Sequence, residues 1–214
     1  MKKIKIIMIL MIMIVLTGCS NRHLIKVYNN MRASKDMNGY SVNLRIYGRA
    51  NDKTFNKIIR ITNYKDEKFL ITEVNPSANG REREDSEDLT YVIDGTIYRK
   101  VNNEYKKVKK YKYTNPLIYL EGLKNVNKTI EKKEEKIGKN EYQVYEVQIK
   151  SEFLNKLLKE IEIEEAVTED ENATVYVNSE NYVYKIIYEI KDLTVNVNYS
   201  GINKSRDIEL PKAN

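Results

Sequence analysis

From Gly39 onward, apolar and polar side chains alternate with a period of two along most of this chain, and no other feature constrains its fold as strongly. Successive side chains of a β-strand point to opposite faces, so an alternating segment buries one face and exposes the other to water. The stretch 40–48, YSVNLRIYG, has apolar side chains at every second position: Tyr40, Val42, Leu44 and Ile46. The pattern predicts a mainly antiparallel β protein.

Further segments with strand character are separated by turn residues, which brings the prediction to about nine or ten strands. They are 55–64, 67–74, the two arms of 89–101, the two arms of 125–149, 173–179, 182–190 and 193–199, and a further short piece within 104–113 is a weaker candidate. The dipeptide Asp94-Gly95 is the strongest hairpin signal, because a type I′ turn needs positive φ at both central positions. A twisted sheet of this many strands curls or closes.

The sequence also predicts one β-bulge and three helices. In residues 141–149 the apolar parity changes between Val144 and Tyr145, which indicates a β-bulge that brings both sets to the core face. Three helices are predicted at residues 20–38, 116–123 and 152–161, and the third is expected to be capped by Ser151. Together the elements indicate an α+β chain, mainly antiparallel β, with an N-terminal helix and two inserted helices.

The start of the chain has the composition of an export signal. Lys2 and Lys3 precede the run Ile4–Leu16, which is apolar at every position except Lys5. This run is shorter than the roughly 20 residues that a transmembrane helix needs, and it matches the h-region of a secretory signal. Two interpretations compete: an ordinary signal peptide with an incidental cysteine behind it, or a lipoprotein signal.

The residues Leu16, Thr17, Gly18 and Cys19 favour the second interpretation, because they resemble the bacterial lipobox. The resemblance implies cleavage between Gly18 and Cys19, with an S-diacylglyceryl group and an N-acyl group on Cys19. We therefore expect residues 1–18 to be removed, residues 19–24 to form a lipidated N-terminus with a short tether, and residues 25–214 to form one domain. The chain would be anchored at the extracytoplasmic face of a bacterial cell membrane.

Common catalytic and metal-binding patterns do not occur in this sequence. One cysteine and one histidine, Cys19 and His23, exclude an internal disulfide and a Cys/His zinc site. We also find no nucleophile elbow, no zinc-protease motif and no phosphate-binding glycine loop. The acidic runs 82–88 and 162–171 lack the spacing of a calcium loop and are predicted to be solvated. We expect no enzymatic activity, no cofactor and no metal.

The charge of the chain argues against nucleic acid as a partner. Removal of the three signal lysines lowers the formal net charge from +6 to +3. The one dense basic run, residues 106–112, has two readings that the sequence leaves open. It either attracts an anionic membrane surface or protects an exposed strand edge against aggregation.

The order of elements resembles the LolA/LppX-like superfamily of bacterial lipoproteins. The segments that carry the resemblance are the lipobox, the helix behind it, YVIDGTIYRK at the middle hairpin, YVNSENYVYKIIYEI, and a terminal GIN followed by IELP. The resemblance implies a strongly curved half-barrel, or open barrel, with the helices on its concave side. Members of that superfamily bind or carry lipids or lipoproteins there. The implied concave-face positions are Leu44, Ile46, Ile59, Ile61, Phe69 and Ile71.

Two functional hypotheses follow from this resemblance. In the first, the chain is a membrane-anchored protein that binds a lipid or another hydrophobic molecule in its concavity, which requires an apolar cavity on the order of several hundred Å³. In the second, it is a non-enzymatic interaction, structural or envelope-sensing lipoprotein with a filled core and a protein partner. The facing of the strands stays open at this stage, since Ile58 and Leu70 on the opposite parity are also apolar.

Overall fold

The computed structural model describes residues 21–32, 39–65, 68–76, 82–83, 90–101, 104–108, 115–204 and 208. The predicted signal segment and the lipobox, Leu16 to Cys19, lie outside the described residues. The second half of the basic run, residues 109–112, also lies outside them.

Twelve strands and three helices occur within the described part of the chain. Helix α1 covers residues 21–32, α2 is Ile118–Glu121 and continues into a 3-10 turn at Gly122–Lys124, and α3 is Ser151–Glu160. The strands are β1 Tyr40–Ala50, β2 Lys53–Lys65, β3 Lys68–Pro76, β4 Glu82–Arg83, β5 Thr90–Ile93, β6 Thr96–Val101, β7 Glu104–Lys107, β8 Val126–Ile137, β9 Asn140–Ile149, β10 Glu171–Asn178, β11 Val183–Ile190 and β12 Leu193–Ser200.

The strands form one antiparallel sheet that does not close into a barrel. Its order is β7-β6-β5-β3-β2-β1-β12-β11-β10-β9-β8, and the two-residue strand β4 pairs with β3 off this path. The predicted fold class, a curved open sheet of mainly antiparallel strands with helices, is confirmed. The strand count exceeds the expected nine or ten, since very short strands such as β4 carry too little alternation to be recognised in the sequence.

Local predictions about turns and bulges had mixed outcomes. Asp94 and Gly95 have φ values of 50° and 72°, so the type I′ hairpin signal was read correctly. The bulge expected at Val144–Tyr145 is wrong: β9 pairs with β10 in one continuous register from Ile149 opposite Glu171 to Tyr142 opposite Asn178. Val144 therefore points to the convex face, where it is nevertheless fully buried.

The start of helix α3 also differs from the expectation. Ser151 is the first helical residue rather than the cap, and the cap residue Lys150 makes no side-chain capping hydrogen bond. The backbone N–H of Ser151 instead donates to Asp170 Oδ1 at 2.9 Å. A carboxylate at a helix N-terminus satisfies a free backbone donor, so Asp170 performs the capping function from the loop behind the helix.

The three helices cover the concave face of the sheet and share one hydrophobic core with it. Their buried side chains recur at helical spacing, as in Leu24, Val27, Tyr28 and Met31 of α1 and Phe153, Leu154, Leu157 and Leu158 of α3. Polar contacts fix two of the helices to the sheet. Tyr188 on β11 donates a hydrogen bond to the backbone oxygen of Tyr119 in α2 at 2.6 Å, and Tyr145 on β9 contacts His23 of α1.

Candidate ligand site on the concave face

The six positions implied to line the concavity all lie on one face of the sheet. Residues directly opposite each other in neighbouring strands point to the same side. Leu44 is opposite Ile59, and Ile61 is opposite Ile71. Ile46 and Phe69 are each two residues from a member of this set and therefore share its face. Ile58 lies opposite Arg45 on the convex side, and so the parity that the sequence left open follows from the register.

Protein atoms already cover most of these six side chains. Leu44, Ile46, Ile61, Phe69 and Ile71 have exposed fractions between 0% and 4%, whereas Ile59 is half-buried. All five buried members belong to the core that includes the helices, and Ile59 packs against its margin. A contact between these residues and a ligand stays a prediction.

Two charged side chains interrupt the apolar concave surface on β2 and β3. Lys57 lies opposite Ile46, and Glu73 lies opposite Ile59, so both charged side chains share the concave face. Their Nζ and Oε2 atoms are 3.7 Å apart, and each side chain is 42% exposed. Half-buried Ile59 therefore borders a polar, solvent-accessible rim.

Six buried tyrosines of the described residues belong to the same interior: Tyr28, Tyr40, Tyr119, Tyr145, Tyr188 and Tyr199. The rings of Tyr40 and Tyr199 meet edge to face, with centroids 5.6 Å apart. The hydroxyl of Tyr199 is buried and has no hydrogen-bond partner among the described residues. Burial raises its pKa well above the ordinary value, and the neighbouring Tyr40, Tyr188 and Tyr119 raise it further. A buried hydroxyl of this kind is normally satisfied by a protein group, a water molecule or a ligand.

The hydroxyl of Tyr188 requires a glycine beside it. A Cβ atom at position 122 would overlap Tyr188 Oη, so only glycine lets the 3-10 turn approach β11 this closely. Burial raises the pKa of Tyr188, and Glu121 adds to this shift. Sequence patterns do not reveal this contact, because the two residues are 66 positions apart.

His23 belongs to no zinc-binding pattern in the sequence. In the structure it connects α1 to the sheet through hydrogen bonds. Its Nδ1 lies 2.6 Å from Tyr145 Oη and its Nε2 lies 2.9 Å from Asn181 Oδ1. Tyr145 also donates to Gln143 Oε1 at 2.8 Å. Burial raises the pKa of Tyr145 to about 12. These bonds hold the first turns of α1 over β9 and the β10–β11 turn.

The surface grooves bounded by described residues lie elsewhere. One groove, with a volume of about 800 Å³, is lined by Asn51, Asn155, Lys159, residues 162–166 and Lys191. Two of about 350 and 410 Å³ flank Tyr142. None of these is lined by the six concave-face positions. In the part of the chain that the structure describes, no three His, Cys, Asp or Glu side chains are grouped as a metal site, and no helix has the length and apolarity to cross a membrane.

Known structures share this architecture at low sequence identity. The chain is similar to the crystal structure of lipoprotein LppX from Mycobacterium tuberculosis, with a TM-score of 0.55 and 11% identity over 88% of this chain and 98% of that one. It is also similar to LprF from Mycobacterium bovis, with a TM-score of 0.58 and 11% identity over 92% and 98% of the two chains. A LolA superfamily protein from Nitrosomonas europaea gives 14% identity and a TM-score of 0.35, too low to support an argument.

Neither of the two sequence comparisons adds a relative. No family model matches the chain, and no curated protein matches it. The similarity to LppX and LprF therefore supports the fold: an open, curved antiparallel sheet whose concave face carries helices.

Proposed function

We propose that this chain is an extracytoplasmic lipoprotein, anchored to the cell membrane through Cys19, that binds a lipid or another hydrophobic molecule on its concave face. Residues 1–18 would be removed, residues 19–24 would hold the anchor, and the binding domain of residues 25–214 would also include residues 21–24, which form the first turn of α1. The function is non-enzymatic and needs no metal or cofactor. One of its structural neighbours, LppX, is itself described as a lipoprotein.

The observation that carries this proposal is the apolar strip on β1, β2 and β3, which shares one face with a rim that is open to solvent. Leu44, Ile61 and Ile71 are buried in it, while Ile59 borders the exposed Lys57 and Glu73. A ligand with an apolar body and a polar end fits such a boundary, because its apolar part displaces water from the strip and its polar part stays near the charges. The buried hydroxyl of Tyr199 offers one further polar contact inside.

Ligand entry requires that part of the helical cover moves, because the strip is covered by the protein's own side chains. Among the helices on the concave face, α1 is held by hydrogen bonds through His23 and Asn21. The Oδ1 of Asn21 accepts a hydrogen bond from Thr129 at 2.8 Å. Displacing α1 exposes its own Leu24, Val27 and Met31 together with the part of the concave face beneath it, and a bound lipid would replace those contacts.

The same burial favours the second candidate function. Five of the six positions are no more than 4% exposed, which is what a filled core in an interaction or envelope-sensing lipoprotein with a protein partner requires. The two functions differ in whether a second molecule occupies the interior of the protein as it exists in its membrane.

Native mass spectrometry of the full-length protein, extracted from the membrane in which it was made, separates them. The binding function predicts a complex heavier than the lipidated chain by one lipid-sized mass that is lost on collisional activation. Finding only the lipidated chain under gentle conditions, together with a captured protein partner, would instead support the filled-core function. Cys19→Ala should release the protein from the membrane, and a variant that still fractionates with membranes would contradict the anchoring.

A further inference from the structure

Helix α1 has a solvent-exposed face that is basic and carries one protruding apolar side chain. The exposed residues recur at i, i+3, i+4, i+7 and i+10 and therefore line one side of the helix: Arg22, Ile25, Lys26, Asn29 and Arg32. The opposite side packs in the core. No acidic residue occurs within residues 21–32, so this face has an uncompensated charge of its own.

A neighbouring basic residue extends this surface. Lys124 is exposed, and its Nζ lies 4.8 Å from the ring centroid of Tyr28 in α1. Ile25 is 41% exposed. One large apolar side chain thus projects from a basic surface.

The opposite end of the molecule is acidic. Asn181 in the β10–β11 turn contacts α1, whereas Lys191 in the β11–β12 turn contacts Glu165 at 2.6 Å. These two turns lie at opposite ends of β11, whose eight residues span about 26 Å. Glu162 and Glu164 line the groove beside Glu165, together with Lys159 and Lys191, so the lining has a net charge of −1. The protein therefore has a basic region at α1 and an acidic region well away from it.

We propose that the exposed face of α1, with Lys124, is a docking surface for an anionic phospholipid bilayer. The inference rests on the proposed anchoring, since only one residue separates Cys19 from Asn21 and the helix thus begins within roughly 7 Å of the lipidated residue. Basic side chains near an anionic surface each strengthen attachment about fivefold, and apolar side chains enter the interface between them. The domain lies with α1 against the membrane and the acidic groove away from it.

The chain contains no tryptophan, so one introduced tryptophan reports its own position. Ile25→Trp is the reporter, and Tyr47→Trp is its matched control, because Tyr47 on β1 is 40% exposed but lies on the convex face. Each full-length lipidated protein is reconstituted into phosphatidylcholine vesicles with or without 30% phosphatidylglycerol. The vesicles carry brominated acyl chains, which quench tryptophan at the interface.

Docking predicts strong quenching of Trp emission in the Ile25→Trp protein, dependent on phosphatidylglycerol, and little quenching in the control. Adding Arg22→Glu and Lys26→Glu should lower the ratio of docked to undocked protein by at least about 25-fold. The charge-matched pair Lys53→Glu and Lys159→Glu, at exposed positions near the acidic groove, should leave the quenching unchanged. Equal quenching of both reporters, or no quenching of either in vesicle-bound protein, would overturn the docking. Failed anchoring is distinguishable, because protein would then be missing from the vesicle fraction.

Discussion

The two halves of the sheet bury their concave faces in different ways. In the sealed half, strands β9 to β12, the apolar concave side chains are at most 2% exposed and pack beneath the helices. In the mixed half, strands β2, β3, β5 and β6, buried side chains such as Phe69 and Val92 share the face with half-buried Ile59 and the exposed Lys57 and Glu73. The sealed half is packed throughout with the protein's own side chains, and the proposed binding strip extends into the mixed half, where apolar and polar side chains share one face.

The largest expected contrast is in the cost of truncating one side chain in each half. Leu157→Ala removes a fully buried side chain of α3 over the sealed half and should lower the free energy of unfolding by about 3 kcal/mol. Ile59→Ala in the mixed half should cost about 1 kcal/mol, because its side chain is only half-buried. Urea unfolding of the two variants measures both values, and equal costs would abolish the distinction between the halves.

A second prediction concerns the close contact between Gly122 and Tyr188 in the sealed half. Gly122→Ala should destabilise the protein by about 2 kcal/mol, because the added methyl group overlaps the tyrosine hydroxyl. Tyr188→Phe alone should cost about 1 kcal/mol by leaving the backbone oxygen of Tyr119 without its donor. The double variant should be more stable than the sum of the two losses, and additive losses in a double-mutant cycle would contradict the contact.

A third prediction uses the alkaline stability of the sealed half. Burial raises the pKa of Tyr145 to about 12 in the folded protein, above its value of about 10 in the unfolded chain. The neutral phenol is the form that folding favours, so this contribution is complete below pH 10 and is lost as the pH rises toward 12. Tyr145→Phe should flatten the fall in unfolding free energy over this interval. An unchanged slope would mean that Tyr145 titrates normally.

The smallest expected effect is that of the ion pair at the rim of the mixed half. Lys57 and Glu73 are each 42% exposed, and pairs of this kind contribute about 0.5 kcal/mol or less. A double-mutant cycle with Lys57→Ala and Glu73→Ala should return a coupling energy in that range, decreasing with added salt. A coupling above about 1.5 kcal/mol would show that the rim is as tightly organised as the sealed half.

The sequence predicted what depends on local periodicity. The alternation in 193–199 and in 40–48 became the paired strands β12 and β1, and Asp94-Gly95 became the expected turn. The resemblance to known lipoproteins supplied the curvature and the six positions on one face. These features are encoded in neighbouring residues, so a reading of the chain alone recovers them.

Features that depend on distant residues were not recovered. The change of parity at Val144 predicts a bulge that brings Tyr142 to the core, but Tyr142 lies on the convex side, where its ring stacks on Tyr184 with centroids 4.5 Å apart. The cap of α3 comes from Asp170, 19 residues beyond Ser151. Alternation assigned Tyr199 to the inner face, yet nothing local revealed that its hydroxyl has no partner within the described residues.

The most direct test of the central claim is a pair of substitutions at adjacent positions on opposite faces. Ile59→Thr places a hydroxyl on the proposed binding strip, whereas Ile58→Thr makes the same change on the convex side. Native mass spectrometry of both membrane-extracted proteins should show the lipid-bound fraction reduced about tenfold for Ile59→Thr and unchanged for Ile58→Thr. Equal bound fractions in the two variants, or no bound lipid in the unmodified protein, would contradict ligand binding on the concave face.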